Sequence, residues 1–544
     1  MSNRRRVPLH IAAFGVALIC LAPGGRLAAQ RPELENQRLF VNKFFDFPIR
    51  GTLNYRPWDY ADFVRNVDGT VKLGINTVQF TLPWNRVQPE PDPNHFDWAY
   101  LDARLDYLHK YHPNTWIMII LDLSGQSFPP FIDLERHAMR GIERNLWLYP
   151  SRGDESRRLL TARLAIDSPE VQEMAARYYR SVAAHVRERY GPKHRVVAYE
   201  VTLHQNMESD WWGLGPNVDY SDHAQAAFRR WLESNYGDIG ALRRSWGMDY
   251  QGKETRWQPW EIRFYKSFED LRMGHQTEAL APRVDWLKYK YWSMDRWNKL
   301  LRDALRQGDP DARLLWRGGG GLLMHERTVL FDFARYMDNI DWVIMDDYAA
   351  DFMFSWVRGS AMGKPWGIEI GAVREQTTAV QAERTKRIYG QGAAVYNVCR
   401  FNTQDVREPP PFEDKLVRDV VELTKQPRTK PEVRRAIYVS AFQTLRDYAD
   451  FTAAAEAYDK YTANGAFVDV ITDGVLRKGP EYLKRYTEGI VLPLSEVLGR
   501  EARAALVQAA KSGVKIELLQ PKLAGTMDEY LRRTPPLAEE LKSR

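Results

Sequence analysis

The sequence predicts a (β/α)8 TIM barrel followed by a smaller α/β unit. Three observations predict it. Between about residues 47 and 405, short apolar runs alternate eight times with longer helical stretches. One gap in that alternation, between residues 201 and 312, is long and itself helical. After Glu408-Pro409-Pro410-Pro411, a second and shorter series of strands and helices begins.

The eight runs are Phe47–Leu53, Asn76–Leu82, Trp116–Leu121, Val196–Val201, Ala312–Trp316, Asp341–Met345, Pro365–Ile370 and Ala393–Val398. Each is short and rich in apolar residues, as parallel strands covered on both faces must be. Helical periodicity fills Leu101–Tyr111, Ser168–Tyr190, Asp285–Gln307 and Val329–Met337. The long gap holds two more helical stretches, Ala224–Tyr236 and Ile239–Trp246, and reads as an insertion on the loop after strand four. That is the face on which barrel sites sit. The tail alternates again: an apolar stretch Arg434–Tyr448, a helix Ala453–Ala463, a strand Ala466–Ile471, a strand Thr487–Pro493, a helix Ser495–Ser512 and a strand Val514–Leu519. None of its helices opens on Gly-x-Gly-x-x-Gly, which argues against a dinucleotide. The division read from these signals is 1–29, 30–410 and 411–544.

Residues 1–29 have the pattern of a signal peptide. Arg4, Arg5 and Arg6 precede a mostly apolar stretch from Val7 to Leu21, and Leu27-Ala28-Ala29 offers a small-residue cleavage site. Pro8 and His10 interrupt a run already short for a membrane span. The expected location is periplasmic or secreted, with no membrane attachment after cleavage. Removing this segment takes Lys+Arg from 77 to 73 against 71 acids, so the net charge of +6 falls to +2. The chain then shows no basic excess of the kind that marks a nucleic-acid partner. At 44% hydrophobic and 27% charged residues, with a mean hydropathy of -0.51, it fits a soluble globular protein. Of the two cysteines, Cys20 belongs to the signal. Cys399 has no partner in the mature chain, and a cysteine-rich zinc site is excluded.

Two features point to carbohydrate. Tryptophan is abundant, with 18 residues, several near strand ends or in loops, including Trp58, Trp84, Trp211, Trp212, Trp257, Trp260, Trp356 and Trp366. Indole faces bind the C–H faces of sugars, although any single tryptophan is more often core packing. In addition, Glu208 and Glu369 stand at or just beyond the ends of the fourth and seventh runs. In a barrel these lie on opposite sides of the mouth, where two carboxylates suit glycoside hydrolysis. Each glutamate alone would read as a surface or ion-paired residue. Gly318–Gly321 lacks the Gly-Lys-Ser/Thr ending of a phosphate loop, and Asp346-Asp347 has no further ligand at metal spacing. No metal and no cofactor are expected.

The stretch from Gly74 through Pro83-Trp84 to Glu90, followed by Phe96-Asp97-Trp98 and Leu101-Asp102, resembles glycoside hydrolase family 42, the β-galactosidases. The helical insertion from Phe228 to Trp246, with Arg229-Arg230-Trp231-Leu232, is the most specific part of the likeness. Asp346-Asp347-Tyr348, Lys364-Pro365-Trp366-Gly367-Ile368-Glu369 and the final strand at Gly392 continue it. Asn464 to Val470 resembles the family's Rossmann-like middle domain. The resemblance implies a retaining hydrolase of β-galactosides, or of another β-linked glycoside. It makes Glu369 the nucleophile and Tyr348 its hydrogen-bonding tyrosine. Where the family ends strand four with Asn-Glu, this chain has Leu203-His204, with Asn206-Met207-Glu208 just after. Glu208 is the expected acid/base because leaving-group protonation needs a carboxyl whose pKa can be raised. His204 is the alternative, and an inactive carbohydrate-binding barrel is a third reading. Trp84, His204, Asn206, Trp211, Tyr348 and Trp366 are the expected substrate-binding residues, for an oligosaccharide or glycoside. The family's metal-binding cysteines are absent. The shortened tail leaves open the homo-oligomer that the family's middle domain supports.

Overall fold

The computed structural model describes residues 39–43, 60–141, 162–203, 219–247, 266–272, 280–318, 332–345, 351–371, 378–399, 411–422, 430–446 and 451–542. Eight parallel strands close into a barrel in chain order. They are β1 (Leu39–Lys43), β2 (Thr77–Pro83), β3 (Trp116–Asp122), β4 (Val196–Thr202), β5 (Leu314–Gly318), β6 (Trp342–Met345), β7 (Trp366–Gly371) and β8 (Val395–Cys399). β1 pairs with both β2 and β8, which closes the ring.

The period of two along each strand divides the side chains into an outer and an inner set. Val78, Phe80, Leu82, Ile117, Ile119, Leu121, Tyr199 and Val201 face outward into one large core shared with the helices. Trp116, Met118, Ala198, Leu315, Trp342, Ile344 and Val395 form a separate apolar plug early in the strands, inside the barrel. All seven residues of β2, β3 and β4 are buried. This double-sided burial is why these strands stand out in the sequence as apolar runs.

The expected first strand is displaced. The sequence reading placed it at Phe47–Leu53, but β1 is Leu39–Lys43, and 47–53 lies outside the described residues. Pro48 lacks the N–H that a strand paired on both sides must donate. The helix expected over Val329–Met337 is, within the described residues, a 3-10 turn at Phe333–Tyr336.

Around the barrel, the helix Pro169–Tyr190 has clear start and stop signals. The Ser168 hydroxyl accepts from Val171 N–H, Pro169 takes the first turn, and Gly191 ends it at φ 73°. It packs along the helix Leu280–Gly308. A Cβ at Gly308 would stand 2.3 Å from the Arg180 carbonyl oxygen, so this crossing needs glycine. The insertion after β4 supplies Asp222–Tyr236 and Ile239–Gly247, and with the long helix and the tail it builds a second core around Phe228, Trp231, Trp246, Trp286 and Tyr530. Buried Asp285 accepts from Tyr236 Oη (2.6 Å), Trp246 Nε1 (2.8 Å) and Tyr530 Oη (2.6 Å), tying the insertion to the long helix and the chain's tail.

A second, four-stranded parallel sheet follows: β9 (Val433–Tyr438), β10 (Phe467–Ile471), β11 (Gly489–Leu492) and β12 (Ile516–Leu518), in the order β10-β9-β11-β12. One face shares the barrel's core through Ile437, Val468, Val470 and Val491. Arg358, on the helix Asp351–Ala361, donates to Asp469 at 2.7 Å, and Asp332 accepts from Thr472 Oγ1 and Gly474 N–H. The boundary read at 410/411 falls one helix too early. The helix Pro411–Glu422 belongs to the barrel ring: Val417 and Val420 lie in the barrel core, and Val421 fills the space beside Gly74. Glu-Pro-Pro-Pro marks the loop before that helix, because proline is at home in a helix's first turn as well as between domains.

Candidate active site

The inward positions above the apolar plug carry polar side chains from five strands: Gln79 (β2), Glu200 (β4), Arg317 (β5), Glu369 (β7) and Asn397 (β8). Arg317 is their hub. Its Nε and Nη2 bind the two oxygens of Glu200 at 2.8 and 3.0 Å, in a fork-to-carboxylate pair. Its Nη1 donates to Glu369 Oε2, and its Nη2 also reaches Gln79 Oε1 at 3.1 Å. Gln79 Nε2 donates to Glu200 Oε2 at 2.5 Å, and Asn397 Nδ2 donates to Gln79 Oε1 at 2.7 Å. Glu200 is 0% exposed, Arg317 1% and Glu369 5%. Two carboxylates thus share one guanidinium inside the barrel. Burying these charges is tolerable only because each is paired and hydrogen-bonded.

Glu369 lies two residues before the C-terminal end of β7 and directly beside Asn397 of β8. The sequence reading singled it out, and it does face the barrel axis. The reading missed Glu200, Arg317, Gln79 and Asn397. A signal for the charged pair is present in the sequence. Val-Val-Ala-Tyr-Glu-Val-Thr and Leu-Leu-Trp-Arg-Gly each place one charged residue in an otherwise apolar strand, where only an oppositely charged partner inside the barrel could pay for its burial.

At the end of β3, Asp122 is fully buried. It accepts from Ser124 N–H at 2.8 Å and from the Ser127 hydroxyl. Burial pushes its carboxyl up to about 6, against the opposing effect of those bonds. The folded state therefore holds this proton more tightly than the unfolded chain. The stability from this group is full below about pH 4 and is lost as pH rises through about 6. Asp122→Asn removes that titration. The loss of thermal stability between pH 5 and pH 7.5 is expected to shrink by the equivalent of roughly 1.4 kcal/mol. An unchanged difference in melting temperature between the two pH values would contradict this.

Two expected sugar platforms are packing residues. Trp84 is fully buried, stacked on Tyr178 at 5.4 Å, with Nε1 donating to Gln88 Oε1 at 3.1 Å. Trp366 faces outward on β7, on the side of Ile368 and opposite Glu369, and is buried in the core between sheet and helices. Trp356 is also buried, edge-on to Phe352 and Phe451. The aromatic abundance thus serves packing at each of these positions. Trp84→Ala is expected to cost about 3–5 kcal/mol of stability while leaving KM unchanged. A raised KM in a variant of wild-type stability would return Trp84 to the binding surface. Glu208, His204, Asn206, Trp211 and Tyr348 lie outside the described residues. A cavity of about 400 Å³ lies elsewhere, between the insertion, the long helix and the helices and loops of the tail, and Asp285, Lys288, Arg335 and Glu529 are among its lining.

An eight-stranded barrel that turns a carboxylate, Glu369, toward its axis near the C-terminal end of β7 is an architecture suited to enzymes that cleave glycosidic bonds. Comparison makes the relationship specific. The family model described as β-galactosidase, glycoside hydrolase family 42, matches residues 52–366, more than half of the chain. The chain belongs to that family. Among curated relatives, β-galactosidase BbgII of Bifidobacterium bifidum is 30% identical over 298 residues, covering 51% of this chain and 36% of its own length. A β-galactosidase of an Arthrobacter species is 23% identical over 332 residues, covering 58% of this chain and 42% of its own length. The chain therefore matches less than half the length of each. Among solved structures, the β-galactosidase of the psychrophilic Marinomonas ef1 superposes with a TM-score of 0.64 at 17% identity, over 92% of this chain and 78% of that one. These structural likenesses establish the shared fold.

Proposed function

We propose that this protein is an exported retaining glycoside hydrolase acting on β-galactosides or closely related β-linked glycosides. Family membership supports the reaction class, and the position of Glu369 carries the mechanism. Its carboxylate projects from the C-terminal half of β7 toward the barrel axis, and Arg317 fixes its orientation. In the first half-reaction, Glu369 attacks the anomeric carbon while Glu208 protonates the departing oxygen. In the second, Glu208 takes a proton from water as water displaces Glu369, so the anomeric configuration is retained. Glu200 is unsuited to the acid role, because its two oxygens are already engaged by a guanidinium. The arginine-led pattern at the N-terminus supports export.

The experiment is hydrolysis of aryl β-galactosides, followed by NMR of the first-formed sugar anomer. Release of the β-anomer supports the proposal, and release of the α-anomer contradicts retention. Glu208→Ala should slow poor leaving groups far more than activated ones and should regain turnover with azide. His204→Ala should show a uniform loss without rescue. Rescue confined to the His204 variant would transfer the acid/base role to the imidazole.

One observation favours a second reading. Leu203, which stands where the family carries asparagine, is buried in the outer core. A barrel that binds glycosides without cleaving them fits that replacement. It would bind galactosides by calorimetry and hydrolyse none of the aryl panel.

A further inference from the structure

Three chain segments bring two imidazoles and a carboxylate together outside the barrel. His137 ends the short helix Leu134–His137 after β3, Glu170 lies in the first turn of Pro169–Tyr190, and His223 lies in the first turn of Asp222–Tyr236. One donor atom from each lies within 4.8 Å of the other two. The imidazole planes are 17° apart with centroids 6.3 Å from each other. Two rings each bonded at about 2.0–2.1 Å to one ion would have centroids roughly 5–6.5 Å apart. His137 is buried, and Ser168 Oγ stands 3.3 Å from its Nδ1 and 3.2 Å from Glu170 Oε2. Such a hydroxyl is placed to orient ligands from behind.

A plain hydrogen-bond cluster would look different. Imidazole and carboxylate would then meet at about 2.7–3.2 Å. Here neither histidine has an ion pair with Glu170 among the described residues, although their donor atoms converge. The spacing leaves room for an ion between them. Arg136 opposes a cation by donating to Glu170 Oε1 at 2.5 Å, but Glu170 Oε2 remains on the side of Ser168.

We propose that His137, Glu170 and His223 form a site for one divalent transition-metal ion, with Zn²⁺ as the ion that fits two imidazoles and a carboxylate. Mg²⁺ and Ca²⁺ favour all-oxygen sites. The ion would staple the start of the insertion to the loop after β3. The same junction is already held by Asp219, which accepts from Arg140 N–H and Ser221 N–H, both at 2.8 Å. The expectation of no metal rested on the missing cysteines and on the lack of a further ligand near Asp346-Asp347 in sequence, whereas these ligands are brought together only by the fold.

The test uses tag-free, chelator-stripped full-length protein, titrated with ZnCl2 by calorimetry and thermal shift, with MgCl2 as control. Zinc is expected to bind once per chain and to raise the melting temperature, while magnesium does neither. His223→Ala should weaken zinc binding on the order of 100-fold without changing the metal-free melting temperature. Arg136→Met should tighten binding by removing the competing cation. Failure of the wild type to bind zinc, or equal binding by His223→Ala, would overturn the proposal. Should His223→Ala not fold, the wild type loaded with Co²⁺ decides. Visible d–d absorption of a tetrahedral or five-coordinate centre is expected, and an octahedral, water-like spectrum would overturn the site.

Discussion

Glu369→Gln is expected to lower turnover by on the order of 10³-fold or more, roughly 4 kcal/mol of barrier, because a neutral amide cannot form the glycosyl-enzyme bond. The fold should survive. Arg317 keeps its two-pronged contact with Glu200, and the glutamine carbonyl still accepts from Nη1. The check is kcat on an activated aryl galactoside beside the melting temperature. A folded variant with near-wild-type kcat would remove Glu369 from the chemistry.

The second large effect belongs to Arg317. Arg317→Met leaves two buried carboxylates, Glu200 and Glu369, without the guanidinium they share. Breaking a buried pair in this way costs about 3–5 kcal/mol. Activity should fall with it, since nothing else on β5 can orient Glu369. The double variant Arg317→Met/Glu200→Gln discriminates between the two losses. Removing one carboxylate should restore much of the stability, while Glu369 still lacks its guanidinium contact and activity stays low. Additive destabilisation in the double variant would show that Glu200 and Arg317 do not act as one unit.

How much of this was legible in the sequence follows from what each strand buries. β2, β3 and β4 are covered on both faces, so they read as apolar runs with nearly correct ends. β1 was misplaced because Leu-Phe-Val-Asn-Lys is short and ends in two polar residues, while the neighbouring Phe47–Leu53, Phe-Pro-Ile-Arg-Gly-Thr-Leu, spaces three apolar residues along a longer run. Glu369 was found through its position at a strand end. Arg317 and Glu200 were not, because their meaning lies in each other: 117 residues separate them, and only the pairing of β4 with β5 turns two isolated charges into a pair. Trp84 and Trp366 were misjudged for a related reason. Their residue type suits a sugar, but the side of the strand or turn they occupy is set by a parity that composition does not carry.

The central claim, a covalent glycosyl-enzyme on Glu369, is tested most directly by trapping. The protein would be incubated with an activated 2-deoxy-2-fluoro-β-galactoside, whose fluorine slows both formation and hydrolysis of the intermediate while its good leaving group speeds formation alone, so that the intermediate accumulates. Intact mass and peptide mapping then locate the label. The account predicts one fluorogalactosyl group per chain, on the peptide containing Trp366-Gly367-Ile368-Glu369. A label on any other residue, or no label from a protein that hydrolyses the parent galactoside, would contradict it.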